Sequence, residues 1–348
     1  MDERSLVQLP AVLGSPQQRT RARYVMGVDG GATKTLAAVL DLRERTIHLG
    51  HGGPSNEDAV GAQAAVQALL GAADEALERA GVEASALGAA VLAIAGTDTD
   101  DVAGHVRAAR TDAWLVVNDV VAAWATATGG GPGVAAIAGT GSNVFGVGGA
   151  DGRARAWRAG GWGHLLGDEG SGYWVGVQSI KAALRHREAS GPPTALSDAV
   201  RAFFGERSVE AVAQSVYTKP LTKGQIAAFA IEAAKIAEQG DAVARALYEH
   251  GARELGAQIA AVIAKTGLGD DGVGEFPVGL IGSAYKAGAV FVAPLTRAVH
   301  EAAPQARVGT VAMAPVGGSL LLAARACGQQ DAIAPAQLSP LIDAVLGA

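Results

Sequence analysis

Short apolar runs separated by polar turns mark the first part of the chain. Tyr24–Asp29 (YVMGVD), Leu36–Asp41 (LAAVLD) and Thr46–Gly50 (TIHLG) have the length and content of strands. An Ala- and Leu-rich stretch predicts a helix over roughly Asn56–Ala80, ended by Gly81. Leu87–Ala95 (LGAAVLAIA) predicts a buried strand, with a helix near Asp100–Arg110. Trp114–Asn118 (WLVVN) then reads as a strand and Asp119–Thr128 as a helix. Gly129–Gly133 breaks the pattern. Beyond it, Val134–Ala138, Asn143–Gly148 and Arg153–Ala159 predict three more strands, the last two joined by an Asp151-Gly152 hairpin turn. Helices dominate from Ser171 to about Lys265, followed by a strand at Pro277–Ile281 and a final helix near Val316–Ala326. The same theme runs twice: three short strands opening on a glycine turn, then alternating helices and strands. This predicts an α/β protein of two domains with a cleft between them.

Composition narrows the class. The 348 residues suit about two domains, and 49% hydrophobic with 18% charged residues excludes disorder and coiled coil. A net charge of −6 argues against duplex nucleic acid, whose phosphates need a basic face. The single Cys327 excludes a disulfide within one chain, a Cys-rich zinc site and an iron–sulfur cluster built from one chain's thiolates. It also fits a reducing compartment. Residues 1–23 lack the apolar core of a secretory signal and read as an N-terminal extension. Val120–Ala150 carries no charge, but glycines, Thr, Ser and Asn interrupt it, so no membrane span is expected.

Three glycine-rich segments follow strands: Gly30-Gly31-Ala32-Thr33, Gly139-Thr140-Gly141-Ser142 and Gly282-Ser283. Glycine lets backbone N–H groups approach phosphate closely, and Thr or Ser hydroxyls add donors. Asp29, at a strand end, can hold magnesium through water. Gly30–Thr35 lacks the P-loop spacing, and Gly139–Gly141 lacks the third glycine and the strand–helix setting of a dinucleotide fingerprint. Each turn taken alone is an ordinary β-turn; three at strand ends point to a nucleotide.

Asn118-Asp119 ends an apolar strand where a helix begins. Asp119 can cap that helix, act as general base toward a sugar hydroxyl, or do both. The densest constellation is Gly160–Trp174 (GGWGHLLGDEGSGYW), with two acids, a His and three aromatics. A hydroxyl-rich ligand needs carboxylates for its O–H groups and an apolar ring for its C–H face; Asp168 and Trp162 offer these. Trp157 and Trp174 read as core, Glu169 as a brace or helix cap, and His164 with its neighbouring acids as a poor metal site. Asn56 precedes a helix and can cap it or offer an amide to a sugar hydroxyl.

In order, Asp-Gly-Gly-x-Thr, Asn-Asp, Gly-Thr-Gly-Ser, the Gly160–Trp174 motif, Gly-Ser and Gly317-Gly318 resemble the N-acetylglucosamine kinases of the sugar kinase/Hsp70/actin superfamily. That branch also holds the benzoyl-CoA-reductase activator-type (BadF/BadG-type) ATPases. The match runs from about Tyr24 to about Gly328, and the Gly160–Trp174 motif is the specific part. The resemblance implies two ribonuclease-H-like (actin-like ATPase) domains flanking a cleft, over 24–130 and 131–315. A helix at about 316–328 would complete the first, and a helical insertion would lie in the second.

It further implies a cytoplasmic ATP- and Mg²⁺-dependent 6-phosphotransferase acting on a small amino sugar, N-acetyl-D-glucosamine or glucosamine. Such kinases are often homodimers, without nucleic-acid or membrane partners. Carried over, Asp119 is the base. Asn56, Asn118, Asp119, Gly161, Trp162 and Asp168 contact sugar, while Gly30, Gly31, Thr33 and Gly139, Thr140, Gly141 and Ser142 hold phosphates. Gly282 and Ser283 lie near the nucleoside, and Asp29 serves the metal. Two readings from other classes fit the residues less well. An ATPase activator of a redox enzyme needs two cysteines per chain, and only Cys327 exists. A non-catalytic sugar sensor of the repressor type would carry an N-terminal helix-turn-helix, for which residues 1–23 leave little room.

Overall fold

The computed structural model describes residues 22–347 apart from 32, 97–99, 150–153, 219–220 and 271, with backbone alone at 58, 59 and 100. The expected Asp151-Gly152 turn lies outside the described residues, as does nearly all of the extension over 1–23. The chain divides into two units, Met1–Gly133 with Val311–Ala348 and Val134–Thr310.

In unit 1, β1 (Tyr24–Gly30), β2 (Thr35–Asp41) and β3 (Thr46–Gly52) form an antiparallel meander. β4 (Leu87–Ile94) and β5 (Trp114–Asn118) add in parallel, giving the sheet order β3-β2-β1-β4-β5. β2 is buried at every position, which explains its continuous apolar run in place of an alternating one. The single helix expected over 56–80 is two helices, α1 (Glu57–Val60) and α2 (Ala62–Ala80). Gly61 between them adopts φ +80°, a left-handed conformation that interrupts the helix. Leu69, Ala72, Ala73 and Ala76 of α2 pack on Met26, Val28, Ala37 and Val39. α3 (Asp100–Ala109) and α4 (Asp119–Thr128) follow β4 and β5.

In unit 2, β6 (Gly133–Ala138), β7 (Ser142–Gly148) and β8 (Arg155–Gly160) precede a helical run. The run holds α5 (Gly172–Arg187), α6 (Leu196–Phe204), α7 (Val209–Thr218), α8 (Lys223–Ala228), α9 (Ala230–Glu238) and α10 (Ala242–Thr266). β9 (Phe276–Ile281), α11 (Ala289–Ala302) and β10 (Ala306–Thr310) complete it. Read from β8, the sheet order is β8-β7-β6-β9-β10, the order of unit 1 with each strand renumbered. Both sheets join parallel strands to the opening one: β9 to β6 and β10 to β9 here.

The chain then returns to unit 1 as α12 (Pro315–Ala326) and α13 (Pro335–Leu346). Ser319 Oγ donates to Val28 O at 2.9 Å, tying α12 to β1. Cys327 follows α12 and is buried. β10 and α13 were not anticipated. β10 (ARVGT) is half exposed and has no apolar run, while α13 starts with Pro335 and contains Pro340, which reads as a helix breaker. Among the described residues, no helix is long and apolar enough to cross a membrane.

Candidate active site

Polar residues collect at the carboxyl ends of the parallel strands, the usual ligand edge of an open α/β sheet. In unit 1, Asp29 and Gly30 pair with Ala93 and Ile94, and Ile94 pairs with Asn118 at the end of β5. Asp29 and Asn118-Asp119 therefore share one sheet edge. Asn118 caps α4: it is buried, and its Oδ1 accepts the Val120 N–H at 3.2 Å. Asp119 is the first helical residue, so the expectation that it caps the helix is corrected in favour of its neighbour. Burial pushes the Asp29 carboxyl up to about 6; the Asp119 carboxylate adds to the rise and Lys34 opposes it.

The turn after β1 is held from both sides. Gly31 N–H donates to Lys34 O at 3.0 Å, and Gly31 O accepts the Ser55 N–H at 3.0 Å. Thr35 Oγ1 donates to Gly53 O at 2.7 Å and lies 2.8 Å from Ser55 Oγ. Asn56 thus follows a residue fixed against Gly31. Gly30 O accepts the Ala95 N–H at 2.9 Å, and Thr33 is exposed.

A pH prediction arises here. Between about pH 4 and pH 6 the folded metal-free protein binds a proton at Asp29 that the unfolded chain releases, so this group's contribution to stability falls as pH rises through that window. Melting temperatures of wild type and Asp29→Asn across this range should diverge, with the variant gaining relative to wild type and the gap levelling above pH 6. Parallel curves would show that Asp29 titrates at its ordinary value.

In unit 2, the turn after β6 is Gly139–Ser142. Gly139 N–H donates to Gly141 O at 2.9 Å, while Gly139 O accepts the Gly172 N–H at 2.8 Å. Asp168 Oδ1 accepts the Ser142 N–H at 3.0 Å, and Ser142 Oγ donates to Glu169 O at 2.9 Å. A Cβ on Gly141 would fall 2.8 Å from Asp168 Oδ1, so glycine is what admits the carboxylate. Asp168 is buried and holds φ +63°, an uncommon conformation for a residue with a Cβ. Burial pushes its carboxyl up; the Ser142 N–H, Lys223 and His164 pull it down, and Glu169 pushes it up. One Asp168 oxygen is therefore engaged by the turn read as a phosphate loop, a link between two motifs that sequence alone did not reveal.

Gly161 adopts φ +73°, and a Cβ there would fall 2.6 Å from Arg158 Nη2. Arg158 donates from Nη2 to Gly161 O at 2.9 Å and from Nε to Asn143 Oδ1 at 3.2 Å. Trp162 beside it is 72% exposed, with Leu165 and Leu166 also exposed, so an apolar ring stands in solvent next to a fixed turn. Trp157 and Trp174 pack against the unit 2 core. Glu169 braces the loop by accepting from Gln258 Nε2 at 3.0 Å, and Ser171 caps α5 by accepting the Trp174 N–H at 3.2 Å. His164 packs edge-on to Tyr173. Among the described residues no group of three or more His, Cys, Asp or Glu side chains could hold a metal.

Gly282 has φ +125°, and a Cβ there would fall 2.2 Å from Ala138 O, so the ends of β9 and β6 meet at backbone distance. Ser283 is exposed and begins a 3-10 turn, Ser283–Ala287. Arg158, Gln258 and Lys223 were missed from sequence. Each acts through tertiary neighbours, and no local pattern marks it.

Two units with one strand order, each carrying glycine turns and acids at the carboxyl ends of its parallel strands, define an actin-like ATPase of ribonuclease-H-like units. The chain belongs to the BadF/BadG/BcrA/BcrD ATPase family, whose profile matches residues 26–323. It is 31% identical over 246 residues to the N-acetylmuramic acid/N-acetylglucosamine kinase of Clostridium acetobutylicum, covering 69% of this chain and 79% of that one. It is 27% identical over 317 residues to the N-acetyl-D-glucosamine kinase of Dictyostelium discoideum, covering 86% and 97%. Among solved structures, a Chromobacterium violaceum protein described as a candidate N-acetylglucosamine kinase matches with a TM-score of 0.67 at 27% identity, covering 86% of this chain and 99% of that one. A glucokinase of the ROK family from Streptomyces griseus shares the fold, with a TM-score of 0.51 at 20% identity over 86% of this chain and 98% of that one.

Proposed function

We propose that this sugar kinase transfers the γ-phosphoryl group of ATP to the 6-hydroxyl of N-acetyl-D-glucosamine, with Asp119 as general base. The observation that carries the reading is the division of work at the end of β5. Asn118 satisfies the helix, and Asp119 stands beside it on the sheet edge shared with Asp29. The two kinase relatives, named for N-acetylglucosamine, support the substrate class.

In this reading Asn56, Asn118, Gly161, Trp162 and Asp168 take the sugar, with the exposed Trp162 ring against its C–H face. Gly30, Gly31, Thr33 and Gly139–Ser142 form the two phosphate turns. Gly31, Gly139 and Ser142 spend their own N–H groups holding those turns, so Thr33, Thr140 and Gly141 supply donors to phosphate oxygens, and Gly282-Ser283 lies near the nucleoside. Asp119 accepts the proton of the attacking hydroxyl as the new O–P bond forms, and ADP leaves with the electron pair of the broken one. The unit 1 acids fit a divalent cation. Burial and a neighbouring carboxylate both disfavour charge on Asp29, and a cation would offset both. Asp29 would hold Mg²⁺ through water, and Mg²⁺ when bound neutralises charge on the transferring phosphoryl group. The protein would work in the cytoplasm, as a homodimer.

A panel of N-acetylglucosamine, glucosamine and N-acetylmuramic acid with MgATP, followed by ADP release, tests this. N-acetylglucosamine should give the highest kcat/KM. Preference for glucosamine would overturn the substrate, and no stimulation by any hexosamine would overturn the amino-sugar reading.

A further inference from the structure

The helical insertion reaches the Gly139–Ser142 turn through backbone contacts. Thr222 starts α8: its Oγ1 accepts the Gln225 N–H at 3.2 Å, while Gln225 Oε1 accepts the Thr222 N–H at 2.8 Å. The Ala227 carbonyl lies 3.1 Å from where a Cβ on Gly172 would stand, and the Ile226 carbonyl 2.3 Å from where one on Gly176 would. Two glycines in α5 thus let α8 approach at backbone distance. Gly172 N–H donates to Gly139 O at 2.8 Å, so α8, the start of α5 and the turn form one stack.

Lys223 precedes Ala227 by four residues and shares its face of α8. It is exposed and in no ion pair among the described residues. Its charge nevertheless reaches Asp168, the acid bound to the Ser142 N–H. An anionic ligand on this turn meets the Asp168 carboxylate behind it, and that repulsion calls for a cation on the same side.

We propose that Lys223 is a further nucleotide ligand, its ammonium donating to the phosphate oxygens held by Gly139–Ser142. The inference rests on the reading of that turn as a phosphate site.

Calorimetric titration with AMPPNP and MgCl₂, and separately with N-acetylglucosamine, should be run on wild type, K223M and K223R. K223M should weaken AMPPNP by about tenfold or more, the loss of one hydrogen bond to a charged group. K223R should recover most of that loss, and sugar affinity should match wild type in both. Unchanged AMPPNP affinity in K223M overturns the assignment. So does an equal loss in K223R, which would mean a disturbed helix. A loss confined to the sugar also overturns it and would give Lys223 the task of keeping Asp168 ionised. A wild type that binds AMPPNP yet phosphorylates no hexosamine sinks the amino-sugar reading and leaves this comparison intact.

Discussion

Asp119→Asn should lower kcat by about 10²–10⁴-fold, the usual cost of losing a general base, with the melting temperature close to native. The helix keeps its cap, because the acceptor of the Val120 N–H is Asn118 Oδ1 and the substitution leaves it untouched. An acid in the first turn also interacts favourably with the helix dipole, worth about 0.3–1 kcal/mol. Removing it costs that much. An opposing gain offsets it, since Asp29 loses the neighbouring carboxylate that pushes its own carboxyl up. Steady-state ADP release, a thermal melt and sugar titration read the three quantities separately. A variant retaining more than about half its kcat would remove Asp119 from the chemistry. A large fall in melting temperature would mean that it holds the helix after all.

Gly318→Ala should be among the most damaging single methyl groups in unit 1. A Cβ at this position would lie 1.9 Å from Ala122 O and 2.3 Å from Thr126 Oγ1, both on α4. The carbonyl belongs to a helix backbone and cannot rotate away, so α12 must lift. It is not free to lift, because a Cβ on Gly27 would fall 2.6 Å from Leu320 N, and Ser319 Oγ holds Val28 O on the same strand. Overpacking against backbone on two sides costs about 3 kcal/mol or more. For a unit of this size that lowers its melting temperature by roughly 8 °C. A native melting temperature for this variant would show that α12 and α4 do not meet as described.

What was legible in the sequence was local. The three glycine turns follow strands, and the hydrophobic runs mark those strands. Asn118-Asp119 stands where strand chemistry gives way to helix. The illegible parts depend on distant partners. The Ser142 N–H finds Asp168 26 residues on, and Gly282 fits because Ala138 O lies against it. Nothing in Lys223-Gly224-Gln225 announces that a capped helix will stack on Gly172. The cap likewise falls one residue before the expected Asp119, because both residue types serve at that position and only the Val120 hydrogen bond separates them. α13 was hidden by Pro340, which a helix packed through Leu338 and Ile342 tolerates.

Cys327 has a practical consequence. It is the chain's one thiol, 3% exposed, with its Sγ 3.1 Å from where a Cβ on Gly88 would stand at the start of β4. A maleimide or disulfide reagent can reach it only in molecules whose first unit has opened there, because a buried thiol is inert until released. The native chain thus carries a one-site chemical clock for local unfolding of unit 1. Unfolding confined to unit 2, which contains no cysteine, leaves the clock silent while Trp157, Trp162 and Trp174 still report it, so an emission change without labelling marks unit 2 and labelling marks unit 1, which also holds Trp114 and Trp124.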